Sequence, residues 1–144
     1  MNNCNVSFKA QATGPGLHLL VKFNNNIVFD NVLADHQEYN IDHNFDDVDG
    51  EKNLLSIEMT GKNSNHTQID ADGNILSDRV IEISDLSIDD IELGIMFQKF
   101  STYEHNFNGT ADAIVDEFFG IMGCNGIIRL EFESPVYHWL LENM

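Results

Sequence analysis

Apolar and polar side chains alternate along most of the chain. In residues 5–10, Val6, Phe8 and Ala10 take one parity and Asn5, Ser7 and Lys9 the other, which predicts a half-buried strand. Gly14-Pro15-Gly16 breaks the pattern. Leu17, Leu19, Val21 and Phe23 then alternate again, Asn24-Asn25-Asn26 supplies residues that tolerate left-handed backbone, and residues 27–29 return as the second arm of a hairpin. Residues 38–41 predict a short strand, and residues 42–51 (DHNFDDVDGE) a carboxylate-dense loop ending in an Asp-Gly turn.

The stretch from Asn53 to Leu93 organises the middle of the chain. Apolar runs at residues 54–59 and 80–83 flank a long polar segment with its own turn, and a second short strand follows at residues 88–93. Residues 95–103 read as a further strand. Residues 111–119 are the one helical candidate, because Ala111, Ile114, Val115 and Phe118 share a face at helical spacing. Residues 127–133 alternate cleanly, with Ile128, Leu130 and Phe132 opposite Arg129, Glu131 and Glu133, until Ser134-Pro135 stops them. The expectation is a single all-β domain over residues 1–144: an antiparallel β-sandwich, jelly-roll-like, of roughly eight or nine short strands with one short helix near the C-terminal third. Residues 136–144 hold Tyr137, Trp139, Leu140 and Leu141 and read as a docking tail, taken up by this domain or by a neighbour.

Composition narrows the function classes. Seven Lys and Arg against 24 Asp and Glu give a net charge of -17, which repels phosphate backbones and argues against nucleic acid as a partner. The apolar runs are too short to span a bilayer as helices, and the first residues show no secretory pattern, so synthesis in a cytoplasm is the expectation. Cys4 and Cys124 lie far apart without a CxxC pair and read as two reduced thiols, with a bridge between them as the alternative.

Candidate chemistry is sparse. Asp70, Asp72 and Asn74 stand at alternate positions and Asp78 follows, an all-oxygen set for which calcium is the fitting metal. It is not an EF-hand, because Gly73 comes too early and Ile81 stands where the last ligand belongs. Asp42, Asp46, Asp47 and Asp49 are further oxygen donors, and the Asp-Gly-Asn run equally reads as a plain hairpin turn. The six histidines form neither HxH nor HExxH, and GxSxG and glycine-rich phosphate loops are missing, so no catalytic role is expected. Tyr39, Tyr103, Tyr137 and Trp139 suit a sugar-stacking platform, or packing in a core or interface.

Two segments carry resemblances. LLSIEMTGKNSNHTQIDADGNILSDRVIEISDLSIDDIEL resembles the second half of calcium-dependent, xylan-binding-type carbohydrate modules, which are small β-sandwiches. That likeness implies calcium and a glycan, with Asp70, Asp72 and Asp78 as carried-over ligands, although no loop Trp accompanies them. HNFNGTADAIVDEFFGIMGCNGIIRLEFESPVYHWLLENM is similar to small virion proteins of contractile-tailed phages, including those of marine cyanobacteria, through Pro135, Tyr137, Trp139, Leu140, Leu141 and Glu142. The second likeness implies a virion structural protein, capsid decoration or a tail, neck or fibre part, that docks on other virion proteins as a homo- or hetero-oligomer. A calcium-dependent carbohydrate-binding module is the alternative.

Overall fold

The computed structural model describes residues 2–62, 68–106 and 112–143. Two antiparallel sheets face each other across one core. The first contains β1 (Asn2–Ala12), β4 (Glu38–Asp47), β8 (Ile81–Ile88), β9 (Ile91–Glu92) and β12 (Ile121–Met122), in the order β12-β8-β1-β4 with β9 paired to β8. The second contains β2 (His18–Phe23), β3 (Asn26–Val32), β5 (Lys52–Thr60), β10 (Thr102–His105), β11 (Ile114–Glu117) and β13 (Gly126–Glu133), in the order β11-β10-β13-β5-β2-β3. β6 (Gln68–Ile69) and β7 (Ile75–Ser77) form a separate small hairpin.

The predicted inward parities hold. Val6, Phe8, Ala10, Leu17, Leu19, Val21, Phe23, Ile128, Leu130 and Phe132 are all buried, and the apolar run of residues 54–59 turns Leu55, Ile57 and Met59 inward. A strand exposes alternate residues to opposite faces, so fixing one register fixes the whole inner surface. The Asn-rich hairpin forms as expected: Asn24 (φ 50°) and Asn25 (φ 69°) both take left-handed backbone, and β2 pairs with β3 around them.

Four segments depart from the pattern. Residues 42–47 belong to β4 rather than to a loop, because Ile41, His43 and Phe45 turn inward while Asp42, Asn44 and Asp46 stay exposed. β4 borders the first sheet, and its outward charges protect that open edge from pairing with another chain. The run after the long polar segment does not return beside β5: β5 lies between β13 and β2, whereas β8 lies between β12 and β1, so the segment crosses from one sheet to the other.

Residues 95–103 divide into α1 (Ile95–Phe100) and β10. Ser101 ends the helix by donating its N–H and its hydroxyl to the carbonyl of Phe97, at 3.0 and 2.5 Å. The predicted helix over 111–119 is replaced by β11, while Ala111 lies outside the described residues. β-Branched Ile114 and Val115 favour a strand, a helix that short has little stability of its own, and β10 offers an edge to pair with.

The chain ends in α2 (Val136–Asn143), entered through a cis Ser134–Pro135 bond. Helical periodicity, unlike an extended tail, places Val136, Trp139 and Leu140 on one face and Tyr137 and Leu141 on another. Val136 and Leu140 are buried, and the Trp139 ring lies 5.0 Å from that of Phe100 and 6.2 Å from that of Phe132.

Candidate functional site

At one end of the sandwich the β2–β3 turn, the last part of β4 and the turn before β5 enclose a cleft of 640 Å³. That volume suits a small ligand. Aromatic side chains lie beneath it. Phe23 from the second sheet meets Phe45 and His43 from the first, with ring centroids 4.5 and 5.4 Å apart, and Phe132 closes the cluster 6.1 Å from Phe45. Phe23 is buried because it is the last inward residue of β2, so the same alternation that builds the core supplies the floor.

Hydrogen-bonded amides hold the walls. Asn24 accepts from the Leu54 N–H at 2.7 Å and donates from its amide to Asn53 Oδ1 at 3.1 Å. Asn53 is buried and donates to Ser134 Oγ at 2.9 Å. The Ser134 N–H donates to the Glu51 carbonyl at 3.0 Å, and the Ser134 carbonyl accepts from the Gly50 N–H at 2.8 Å. Between them residues 48–51 make a tight turn in which Gly50 takes φ 79°, and the Glu51 N–H closes it on the Val48 carbonyl at 3.0 Å.

With Asn24 and Asn53 committed to the framework, Asn3, Asn26, Asp46 and Glu51 line the cleft exposed, and their side chains have no hydrogen-bond partner among the described residues. An amide presents a donor and an acceptor side by side, while a carboxylate only accepts. An aromatic floor below such groups suits a ligand with one apolar face and a rim of hydroxyls.

Of the oxygen donors singled out in the sequence, Asp46 lines this cleft, whereas Asp70, Asp72, Asn74 and Asp78 lie elsewhere. Asp70 accepts from the N–H groups of Asp72 and Asn74, both at 2.9 Å, and from the Asn74 amide at 3.3 Å. It therefore braces the β6–β7 turn, and hydrogen bonds led by the Asn74 N–H hold its carboxyl below the ordinary carboxylate range. Asp78 faces a lysine instead: its Oδ1 is 2.7 Å from Lys62 Nζ, and the Lys62 side chain is 3% exposed. Lys62 also donates to the Gly123 carbonyl at 2.5 Å, and Asn125 brackets the Lys62 backbone on both sides. Among the described residues no three of His, Cys, Asp and Glu converge as a metal site. Calcium needs six or more oxygens. Asp70 and Asp78 thus face separate partners, the backbone of the β6–β7 turn and Lys62.

The four aromatic and apolar residues of the C-terminal segment are divided. Leu140 is buried and Trp139 packs on this domain's own Phe100 and Phe132, whereas Tyr137 and Leu141 are 54% and 71% exposed. Tyr103 is also structural. It is buried, bonds to the backbone of Cys124 through its hydroxyl, and burial pushes its phenol up to about 12. Cys4 and Cys124 are both free.

One further group has a catalytic order without a catalytic setting. Asp30 Oδ1 is 2.5 Å from His18 Nε2, and Thr60 Oγ1 is 3.4 Å from His18 Nδ1. These side chains stand on the outer face of the second sheet, with Asp30 and Thr60 exposed. An acyl-transfer site also requires oriented donors for an oxyanion and the exclusion of water.

Sequence reasoning missed the cleft because its residues belong to three separate segments. The available signal was the density of asparagine at 24–26, 44 and 53, together with Asn and Asp alternating through 40–46.

Neither a protein-family model nor a curated protein matches the chain. Solved structures do. One is the selenomethionine form of vCBM60, described in work on a circular permutation linking two families of calcium-dependent carbohydrate-binding modules; it has a TM-score of 0.53 at 9% identity, covering 88% of this chain and 89% of that one. vCBM60 in complex with galactobiose gives a TM-score of 0.49 at 11% identity, over 88% of this chain and 96% of that one. The two-sheet sandwich is therefore similar in fold to a carbohydrate-binding module.

Proposed function

We propose that this chain is a non-catalytic carbohydrate-binding domain that takes a short saccharide in the cleft between the Asn24–Asn25 turn and the edge strand β4. One observation carries the reading: unengaged Asn3, Asn26, Asp46 and Glu51 surround a cleft in which half-buried His43 and Phe45 sit above the buried Phe23. Sugars present C–H groups on one face and hydroxyls around the rim, which is the pattern those residues complement. The fold shared with vCBM60 supports the reading. Assembly on a phage particle has no support in the fold or in the similarities, and the inward packing of Trp139 and Leu140 removes half of the surface that suggested it.

The cleft is lined by two carboxylates, Asp46 and Glu51, whose oxygens suit sugar hydroxyls and a calcium ion alike. Calorimetric titration and a glycan array, each run with calcium and with chelator, test the reading. Binding to one or more neutral oligosaccharides is expected. An Asn3→Ala, Asn26→Ala variant should lose that binding while keeping a wild-type circular dichroism spectrum. A chain that binds no carbohydrate, or a double variant that binds like wild type, refutes the assignment.

A further inference from the structure

We infer that the cleft selects saccharides by charge, ranking amino sugars above neutral sugars and neutral sugars above uronates. The inference rests on the carbohydrate reading of the same cleft. Its lining includes Asp46 and Glu51 but no lysine or arginine. Asp46 and Glu51 are both exposed, and neither forms a salt bridge among the described residues. Lys52, which follows Glu51, is turned to Glu131 at 3.8 Å.

A uronate entering here would bring a like charge to two carboxylates with no cation in the lining to receive it. The amides can donate to a carboxylate, but each such bond would form against that repulsion. An ammonium in place of a hydroxyl would instead donate directly to Asp46 or Glu51, and a charge-assisted bond is stronger than a neutral one. The rest of the molecule adds the same sign, since the net charge is -17. A field of that sign lowers the local concentration of anions before contact and raises that of cations. Like charges placed together in an interface suppress wrong partners more than they alter the affinity of right ones.

The test is a matched set of oligosaccharides of equal length: oligomers of galactose, galacturonic acid and galactosamine, and the corresponding gluco series. They are titrated calorimetrically into the full chain at a pH where the amine is protonated and the uronate ionised. The uronate should bind at least about tenfold more weakly than the neutral sugar, the lower end of what one like-charge contact costs between bulk water and a protein surface. The amino sugar should bind several-fold more tightly. Raising the salt concentration should shrink both differences. An Asp46→Asn, Glu51→Gln variant should narrow the ratio between neutral-sugar and uronate affinities, whatever it does to each affinity alone, because it removes both charges and keeps the shape; a ratio that stays at its wild-type value overturns the charge selection. A uronate that matches or exceeds the neutral sugar overturns the charge selection and leaves the carbohydrate reading standing. Failure of every oligosaccharide to bind overturns both.

Discussion

Deleting the Asp78 carboxylate tests what that residue is for. Among the described residues Lys62 Nζ has two partners, Asp78 Oδ1 at 2.7 Å and the Gly123 carbonyl at 2.5 Å, and its side chain is 3% exposed. Asp78→Ala leaves an ammonium in the interior with one neutral acceptor. Breaking a buried pair from one side costs about 3–5 kcal/mol. Asp78 is 29% exposed, so water reaches this pair from one side; the expected loss is then about 2–3 kcal/mol. For a chain of this size that lowers the melting temperature by about 6–12 °C.

Lys62→Met removes the charge but keeps the apolar stem, so it should cost about 1 kcal/mol, and adding it to Asp78→Ala should recover most of the lost stability. Urea unfolding of the four proteins in a double-mutant cycle measures the coupling. Asp78→Ala within about 0.5 kcal/mol of wild type, or a double variant no more stable than Asp78→Ala, refutes the pair as the reason this carboxylate is here. Repeating the cycle in calcium separates a metal-ligating Asp78 from one that serves Lys62. Binding to the folded state alone would raise the wild-type midpoint by linkage. The Lys62 assignment predicts no such rise at Asp78.

The remaining predictions concern the framework and the thiols. Asn53→Ala removes a buried amide and leaves Ser134 Oγ and the Asn24 amide unpaired, so it should cost about 2 kcal/mol in urea unfolding and weaken saccharide binding as well. Trp139→Ala should cost about 3 kcal/mol by undocking α2 from Phe100 and Phe132, whereas Leu141→Ser, at a 71% exposed position, should change stability by less than about 0.5 kcal/mol. Burial, with the nearby charges of Asp89 and Asp47, pushes the Cys4 thiol from 9.0 up to about 11. Above the lower value the unfolded chain ionises first and binds fewer protons than the native state, so stability should fall as pH rises from about 9 to 11. Cys4→Ala should flatten that part of the urea-midpoint profile. A profile that falls equally steeply in the variant refutes the assignment to Cys4.

The sandwich was legible where one side of a strand is dry. Leu17 to Phe23 and Ile128 to Phe132 carry their orientation in parity alone, because a slip by one residue would exchange every buried and exposed side chain. Parity says nothing about which strand lies beside which. The polar segment after β5 therefore read as a return, when β8 belongs to the opposite sheet. Short segments failed for a different reason. Residues 95–100 and 114–117 are each shorter than the length at which local preference decides, so neighbours decide instead: Ser101 ends one as a helix, and the free edge of β10 captures the other as a strand.

The acidic residues show why the candidate site was harder to read than the fold. A carboxylate in sequence is the same letter whether it protects an edge, braces a turn, holds a lysine or faces a ligand. Here Asp42 accepts from Asn5 on the exposed face of β4, Asp70 closes its own turn and Asp78 meets Lys62. Each of those uses turns the carboxylate toward a donor of the protein itself. Under the proposed function the acids that matter are those turned toward a concave surface, and concavity is a property of two sheets meeting. Asp46 and Glu51 satisfy that condition because the β2–β3 turn comes to lie across from β4 and the Gly50 turn. Asn24 and Asn53 brace its walls through hydrogen bonds to each other, to Leu54 and to Ser134, so Asn24, which reads only as a turn former, also shapes the cleft.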